Sequence, residues 1–325
     1  MTEPGSPLPF TVVRDGDSGL ERLDRPVLAI GNFDGVHRGH RAVIGTAMER
    51  AAAANRPAAV LTFEPHPRSF FQPDAPSFQL TSEAAKLRLL ASTGLDGAVV
   101  LTFDAALANL SAEDFVEQIL VERLGISGAV VGFNFHFGKE RRGSPEFLVG
   151  QGAHHGFSVD VVEPFVLQGQ RVSSGAVRAA LMAGHIAEAN ELLGHPWFIT
   201  AQVVHGDKRG RTLGYPTANL RLGTDCGLKH GIYAVRVGLG GALYDGVASF
   251  GRRPTFDNGA VLLEVFLFDF SGDLYGAALD VAFIGWIRPE MKFDDADALI
   301  RRMDQDSSQA RHILARAPDA FPPLG

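Results

Sequence analysis

The sequence predicts two architectures in one chain: a doubly wound parallel α/β sheet in the N-terminal part, and an antiparallel β-barrel or sandwich with a terminal helix in the C-terminal part. Up to about residue 185, short apolar runs alternate with helix-favouring segments, as in a parallel sheet with crossover helices. Beyond residue 198, strand-like segments follow one another with glycine-containing turns and no helices between them. The predicted fold class is therefore α/β plus β.

The length of the chain supports this division. A chain of 325 residues suits two domains of ordinary size, each with its own core. Two short helices broken at Gly184 end at Gly194-His195-Pro196-Trp197, where the pattern changes. We therefore expect a first domain at residues 1–185, a linker at 186–198 and a second domain at 199–325.

Composition and charge exclude several classes of protein. The chain is 46% hydrophobic and 21% charged and has no low-complexity tract, as in globular proteins. Its formal net charge is −7, and residues 1–185 hold 16 Lys and Arg against 20 Asp and Glu, which leaves 14 against 17 for the remainder. Since neither part is basic, no nucleic-acid partner is expected. The single cysteine, Cys226, and the lack of a signal-like start or a membrane-length apolar run predict a cytoplasmic protein without a membrane partner; the oligomeric state stays open.

Each element of the first part has a local signal. Strands are expected where short apolar runs are bounded by turn residues, at 26–30, 58–63, 97–102, 128–132 and 158–162. Helices are expected at 41–54, from Ser82 to Leu90, from the capping box of Ser111 and Asp114 to Arg123, and after Ser144-Pro145. In doubly wound sheets the ligand binds beyond the carboxyl ends of the strands, so the loops after residues 30, 63 and 132 should meet at one crevice.

The loop after the first of these strands carries the strongest functional signal. It reads Gly31-Asn32-Phe33-Asp34-Gly35-Val36-His37-Arg38-Gly39-His40 and lies between a buried strand and a helix. Such a junction offers backbone N–H groups and the positive end of a helix dipole to an anion, and its glycines let a phosphate approach the main chain. His37 and His40 project from one face if the turn is helical, so both can reach one phosphoryl group. The pattern predicts phosphate binding and stabilisation of a phosphoryl-transfer transition state; two solvated histidines in a surface loop are the alternative.

Two further segments of the first part suit a nucleotide. The segment Gly132-x-Asn134-Phe135-x-Phe137-Gly138 offers glycines, an amide and aromatic rings, although a core aromatic cluster would have the same spacing. Ser173 and Ser174 precede a helical stretch with Arg178 one turn on. They form either a second anion site or an ordinary helix cap.

The second part contains one segment with marked chemical character. Its strands are expected at 198–204, 231–237, 243–250, 261–270 and 279–286, and a helix at about 296–315. Between the first two strands, residues 206–219 combine glycines and cations with the side-chain oxygens of Thr217 and Asn219, which suit Mg²⁺. The segment is not a Walker A loop, and without a family to compare, a basic glycine-rich hairpin loop is the default interpretation.

These motifs resemble those of the bifunctional riboflavin kinase/FAD synthetases. The pattern His37-x-Gly39-His40 after a strand is similar to the nucleotidyltransferase superfamily signature, and the preceding Gly31-x-Phe33-Asp34-Gly35 is similar to its form in the adenylyltransferase module of this family. Three segments resemble motifs of the riboflavin kinase module. They are Gly210-Arg211-x-x-Gly214-x-Pro216-Thr217-Ala218-Asn219, Gly246-Val247-Ala248-x-x-Gly251-x-x-Pro254-Thr255-Phe256 and Arg288-x-Glu290-x-Lys292-Phe293. The resemblance runs from about Ala29 to Asp306 and departs at Gly175, where the family usually has threonine.

The resemblance implies a Rossmann-like domain of the HxGH nucleotidyltransferase type followed by a riboflavin kinase barrel. The barrel would phosphorylate riboflavin with ATP and Mg²⁺ to give FMN, and the first domain would adenylylate FMN to FAD with release of pyrophosphate. Riboflavin, FMN and FAD are then substrates and products. His37 and His40 would stabilise the transition state of adenylyl transfer, and Glu264 would be the base of the kinase; from strand alternation alone, Glu264 faces solvent.

The resemblance also implies the binding residues. Those for ATP and phosphate in the first domain are Gly31, Phe33, Asp34, Gly39, Asn134, Ser173, Ser174 and Arg178. Those in the second domain are Gly206, Lys208, Gly210, Arg211, Gly214 and Pro216, with Thr217 and Asn219 for Mg²⁺. Those assigned to the flavin are His66, Arg288 and Glu290.

Two rival hypotheses accompany this interpretation. The first is a nucleotidyltransferase for another phosphorylated metabolite with a flavin-sensing barrel. The second is a flavin-binding carrier or regulator without turnover, which would bind flavin stoichiometrically and consume no ATP.

Overall fold

The computed structural model describes residues 10–15, 17–73, 78–205, 215–223, 225–252, 261–317 and 320–324. Contacts divide the chain into two compact units. The first takes its described residues from Met1–Ser77, Lys86–Val172 and Leu324–Gly325, and the second from Phe78–Ala85 and Ser173–Pro323. The helices at Ser174–Ala183 and Ile186–Leu193 thus belong to the second unit. The sequence instead places the end of the first domain at residue 185, and that boundary stays a prediction.

The first unit is built around a six-stranded parallel sheet with the order β1-β4-β3-β2-β5-β6. The strands are β1 (Thr11–Arg14), β2 (Val27–Ile30), β3 (Ala58–Glu64), β4 (Gly97–Thr102), β5 (Gly128–Gly132) and β6 (Ser158–Val162). The parallel doubly wound sheet is therefore confirmed. The sequence gives no clear signal for β1, because it is a four-residue edge strand in which only Val13 is buried.

Helices connect these strands and cover the sheet. They are α1 (Arg38–Ala54), α2 (Pro67–Phe71), α3 (Glu83–Ala91), α4 (Ala105–Asn109), α5 (Ala112–Asp114), which continues as a π-helix (Phe115–Arg123), and α6 (Pro145–His155). The predicted caps form: the hydroxyls of Ser111 and Ser144 accept hydrogen bonds from the N–H groups of Asp114 and Phe147. A short hairpin of β7 (Val166–Leu167) and β8 (Gln170–Arg171) follows β6.

The second unit is a closed antiparallel barrel with the strand order β10-β13-β12-β11-β14-β9. Its elements are α7 (Ser174–Ala183), α8 (Ile186–Leu193), β9 (Phe198–Val204), β10 (Ala218–Arg221), β11 (Gly231–Leu239), β12 (Ala242–Arg252), β13 (Val261–Leu267), β14 (Ala278–Arg288) and α9 (Ala296–Ala315). The barrel and the terminal helix are thus confirmed. Strand β10 lies in the segment that the sequence predicts to be a binding loop, because only four of its residues form the strand.

Alternation along the strands decides which side chains fill the barrel. In β13, Leu263 and Val265 are fully buried, whereas Glu264 between them is partly exposed. Successive side chains of a strand point to opposite faces, so Glu264 lies on the outer surface of the barrel. Helix α9 covers part of that surface, where its Ala310 and Leu314 pack with Val247 and Phe266.

Candidate active sites

The first candidate site is the turn between β2 and α1, whose backbone adopts an unusual conformation. Phe33, Gly35 and Val36 have φ values of +50°, +83° and +42°. Positive φ is costly for phenylalanine and especially for a β-branched valine. Both side chains are almost completely buried, at 1% and 0% exposure, so their packing holds the turn in this conformation. Strain of this kind, maintained by surrounding structure, clusters at functional sites.

The two histidines of this turn lie together at the start of α1. His37 caps the helix: its Nδ1 accepts a hydrogen bond of 3.1 Å from the N–H of His40. The two imidazole rings are stacked, with centroids 3.6 Å apart and planes at 13°. Because Nδ1 of His37 is an acceptor, the ring proton resides on Nε2, which is a donor for an anion. The structure therefore brings His37 and His40 together as predicted.

Gly39 is required by the same arrangement. A Cβ atom at this position would lie 3.1 Å from Cε1 and 3.2 Å from Nδ1 of His37. Both distances are shorter than ordinary van der Waals contact, so a side chain here would displace the imidazole. The glycine of the HxGH pattern thus serves the position of the first histidine.

Arg41 adds positive charge to the start of α1, and sequence analysis did not single it out. Its Nε and Nη2 atoms are buried and have no hydrogen-bond partner among the described residues. Burial, followed by the charge of Arg38, holds the pKa of Arg41 below its ordinary value. Two neighbouring guanidinium groups beside a helix N-terminus make this end of α1 attractive to anions.

Behind the turn lies a buried ammonium group that sequence analysis also missed. Lys86 of α3 is 3% exposed, and its Nζ lies 2.6 Å from Oε1 of Glu64, 3.3 Å from Oγ1 of Thr62 and 3.4 Å from the carbonyl oxygen of Asn32. Its spacing from Leu89 and Leu90, which are buried on the same helix, is the sequence signal that could have placed it inside.

The carboxyl end of β3 presents aromatic rings. Phe70, Phe71 and Phe103 meet edge to face with centroids 5.3 to 5.6 Å apart, and Phe71 is 64% exposed. His66, which was assigned to the flavin, caps α2 by accepting a hydrogen bond from the N–H of Arg68 through Nδ1. Of the three rings, Phe71 alone is exposed, while Phe70 and Phe103 are partly buried.

The loop after β5 contains an exposed amide side chain and a buried aromatic side chain. Asn134 is exposed, and its side-chain oxygen lies close to Gly132. Phe137 is buried against Phe115 and Phe147. The alternative of a core aromatic cluster therefore holds for Phe137, whereas the Asn134 amide is available to a ligand.

The predicted second anion segment falls in the second compact unit. Ser173 caps α7, with its hydroxyl accepting a hydrogen bond of 3.2 Å from the N–H of Ala176. Nε of Arg178 donates to the carbonyl oxygen of Phe78 at 2.5 Å. Ser174 is the first residue of this helix. The ordinary capping role of Ser173 is thus observed, and phosphate binding by the three residues stays a prediction.

In the barrel, Asn219 and Glu264 stand directly opposite each other on neighbouring strands. Their register places them on the same face, and Ser249 of β12 follows as the next partner of Glu264. Asn219 is 7% exposed, and its Oδ1 is buried without a hydrogen-bond partner in the described part of the chain. Nδ2 of Asn219 contacts the carbonyl oxygen of Thr217 at 3.5 Å. The structure therefore brings three of the predicted kinase residues together.

A second carboxylate lies near Glu264. Burial raises the pKa of Glu290, as does the charge of Glu264, whereas His230 and Arg288 oppose the shift. The Glu290 carboxylate lies directly against Gly251, where an added Cβ would overlap Oε1 at 2.0 Å. Arg288 is engaged with the protein itself: Nη2 lies 2.6 Å from Oδ2 of Asp306. Flavin binding by Arg288 and Glu290 stays a prediction.

The terminal helix reaches the Thr217 segment through Tyr215. The Tyr215 hydroxyl donates a hydrogen bond to Asp304 of α9, and its ring packs against Phe266. Pro216 is exposed. The other predicted phosphate-binding residues of this domain lie outside the described residues; they are Gly206, Lys208, Gly210, Arg211 and Gly214.

Comparison with known proteins identifies the family of each part of the chain. A family profile described as FAD synthetase matches residues 20–176, and one described as Riboflavin kinase matches residues 193–314. Proteins named "Bifunctional riboflavin kinase/FMN adenylyltransferase" from Pseudomonas fluorescens and Escherichia coli K12 are each 42% identical to the chain over 89% of its length, covering 93% and 92% of their own. The chain belongs to the bifunctional riboflavin kinase/FMN adenylyltransferase family.

A more distant member of the bifunctional riboflavin kinase/FMN adenylyltransferase family, from Bacillus subtilis, is 37% identical over 89% of the chain and 93% of its own length. A crystal structure from Streptococcus pneumoniae, described as a macrolide-efflux protein, matches with a TM-score of 0.81 and 30% identity, covering 92% of this chain and 98% of that one. Among the described residues, no helix is long and apolar enough to cross a membrane.

Proposed function

We propose that the second unit phosphorylates riboflavin with ATP to give FMN, and that the first unit transfers AMP from a second ATP to FMN, giving FAD and pyrophosphate. The observation that carries the proposal is the stacked pair of His37 and His40 at the N-terminus of α1, which supplies donors at the point where a helix dipole favours an anion.

In the adenylyl transfer, a phosphate oxygen of FMN attacks the α-phosphorus of ATP and pyrophosphate leaves. The reaction needs positioning and charge stabilisation rather than covalent help from the protein. Nε2–H of His37 donates to the α-phosphate, whose equatorial oxygens gain charge in the transition state, and His40 stabilises the same group. Four of the other predicted ligands of this domain, Gly31, Phe33, Asp34 and Asn134, follow β2 or β5 at the carboxyl edge of the sheet.

The flavin ring requires a flat apolar surface, which Phe71 supports. The exposed ring of Phe71, braced by Phe70 and Phe103, offers a face or edge to an isoalloxazine. His66 caps the start of α2, the helix that ends at Phe71, and is assigned to the flavin side of this site.

In the kinase reaction, Glu264 accepts the proton of the ribityl hydroxyl while that oxygen attacks the γ-phosphorus of ATP and ADP leaves. The oxygens of the described residues fit Mg²⁺, because Oδ1 of Asn219 is buried without a partner there and the side chain of Thr217 offers a further hard oxygen. When bound, the ion would neutralise charge on the ATP phosphates. No group of three His, Cys, Asp or Glu side chains in the described ranges is placed to hold a metal.

Incubation of the purified protein with riboflavin, ATP and Mg²⁺, followed by chromatography, tests the proposal. FMN and FAD are the expected products. His37→Ala should stop the sequence at FMN, and Glu264→Ala should abolish FMN formation while FAD still forms from supplied FMN.

The same assay separates the rival functions. A nucleotidyltransferase for another metabolite with a flavin-sensing barrel would form neither flavin product, and its other reaction would be unaffected by Glu264→Ala. A flavin carrier would bind flavin stoichiometrically without consuming ATP.

Cys226 is the only cysteine and is not in a disulfide, which supports a cytoplasmic location.

A further inference from the structure

Lys86 is buried, and its ammonium group has an oxygen acceptor for each of its N–H bonds. An ammonium group has three N–H bonds, and Nζ of Lys86 has three oxygen partners within 3.4 Å, from Glu64, Thr62 and Asn32. The side chains of Lys86 and Glu64 are 4% and 20% exposed. Burying a charge is costly unless it is paired and hydrogen-bonded, and this site meets both conditions.

Of the three oxygen partners of Lys86, the carbonyl oxygen of Asn32 is the one that belongs to the turn before His37. This oxygen also accepts a hydrogen bond of 3.3 Å from the Thr62 hydroxyl, so two donors from β3 and α3 hold one peptide group of the turn. Asn32 directly precedes Phe33, the first residue of the turn with positive φ. Fixing this peptide therefore fixes the direction in which the chain enters the strained turn.

The peptide group between Asn32 and Phe33 has its carbonyl oxygen on the side of Lys86 and its N–H on the other side. In a trans peptide the N–H points away from the C=O of the same plane, so the Phe33 N–H points away from Lys86. A cation on the carbonyl side polarises the peptide and makes its N–H a stronger donor. Lys86 would act on bound phosphate through this peptide, without contacting it.

We propose that Lys86 is a positioning residue for adenylyl transfer: its buried ammonium, held by Glu64 and Thr62, orients and polarises the Asn32–Phe33 peptide so that the turn before His37 is set to receive the ATP phosphates. The inference rests on the proposed function of the first unit. It predicts that kcat for FAD formation depends on the ammonium itself, beyond any contribution of the ion pair to stability.

The test compares Lys86→Met with the double variant Lys86→Met/Glu64→Gln in the full-length protein. Lys86→Met removes the donors and leaves the Glu64 carboxylate without its partner, so both stability and FAD formation should fall, the latter by about tenfold or more. The double variant removes both charges, so its thermal unfolding temperature should return toward that of the wild type while kcat for FAD formation stays low. Riboflavin phosphorylation by the same preparations should change less than about twofold, as expected for a change confined to the first unit.

Arg50→Met is the matched control, because Arg50 forms an exposed ion pair with Asp160 in the same unit and should leave FAD formation unchanged. Recovery of kcat together with stability in the double variant would show that Lys86 only stabilises the fold, and normal kcat in Lys86→Met would also overturn the inference. A wild-type protein that makes FMN but no FAD would instead refute the proposed function.

Discussion

Replacing Gly39 by alanine should separate activity from stability in the first unit. The added Cβ would lie 3.1 and 3.2 Å from two atoms of the His37 ring, so the ring must move by a few tenths of an ångström. That ring accepts the hydrogen bond from His40 N–H at 3.1 Å and stacks on the His40 ring at 3.6 Å, so its movement disturbs both histidines.

The magnitude follows from the size of this displacement. Misplacement of a catalytic group by up to about 1 Å costs up to about 100-fold, and we expect FAD formation to fall by roughly 10- to 100-fold, equivalent to about 1.4–2.7 kcal/mol in the activation barrier. Alanine is the better helix former by up to about 1 kcal/mol, so the free energy of unfolding should be unchanged or higher.

The assay is the rate of FAD formation from FMN and ATP, with riboflavin phosphorylation measured in the same preparation. Gly45→Ala is the matched control, because Gly45 lies in the same helix and an added Cβ meets no atom within 4 Å. It should stabilise the helix and leave the rate unchanged. A Gly39→Ala protein that forms FAD at the wild-type rate would refute the link between Gly39 and the position of His37.

Three further predictions concern the second unit. Asp306→Ala should lower the free energy of urea-induced unfolding by about 3–5 kcal/mol because it leaves the buried guanidinium of Arg288 unpaired; a loss below about 1 kcal/mol would contradict this. Burial raises the pKa of Cys226 to about 11, so roughly one thiol in a thousand is ionised at pH 8, and alkylation by iodoacetamide should follow unfolding; fast labelling of the native protein would disprove the burial. Because the pKa of Glu290 is raised, the folded chain holds this proton more tightly than the unfolded chain, and the resulting stabilisation is present below the ordinary carboxyl pKa and lost as pH rises through the folded value. Glu290→Gln should therefore unfold with a flatter pH dependence above about pH 4.5, and an unchanged profile would exclude the shift.

Much of the first site is local in sequence and was therefore predictable. The strand, the glycine-containing turn and the helix follow one another along the chain, and the cap formed by His37 spans only three residues. Short-range features of this kind depend on backbone geometry and hydrogen bonds between near neighbours. The same reason explains why the helix caps at Ser111 and Ser144 were correctly predicted.

Local patterns along the sequence were enough to predict the two fold classes and the turn that carries His37, and the family resemblance named Thr217, Asn219 and Glu264 as candidate kinase residues. The position of Asn219 opposite Glu264 could be seen only in the folded chain, because it depends on the register of two strands whose residues are 45 positions apart. The tertiary structure also decided that Lys86 lies under the turn, although a lysine on a helix is usually solvated. Such contacts depend on how distant segments pack, and packing is a property of the whole fold that no local pattern of residues contains.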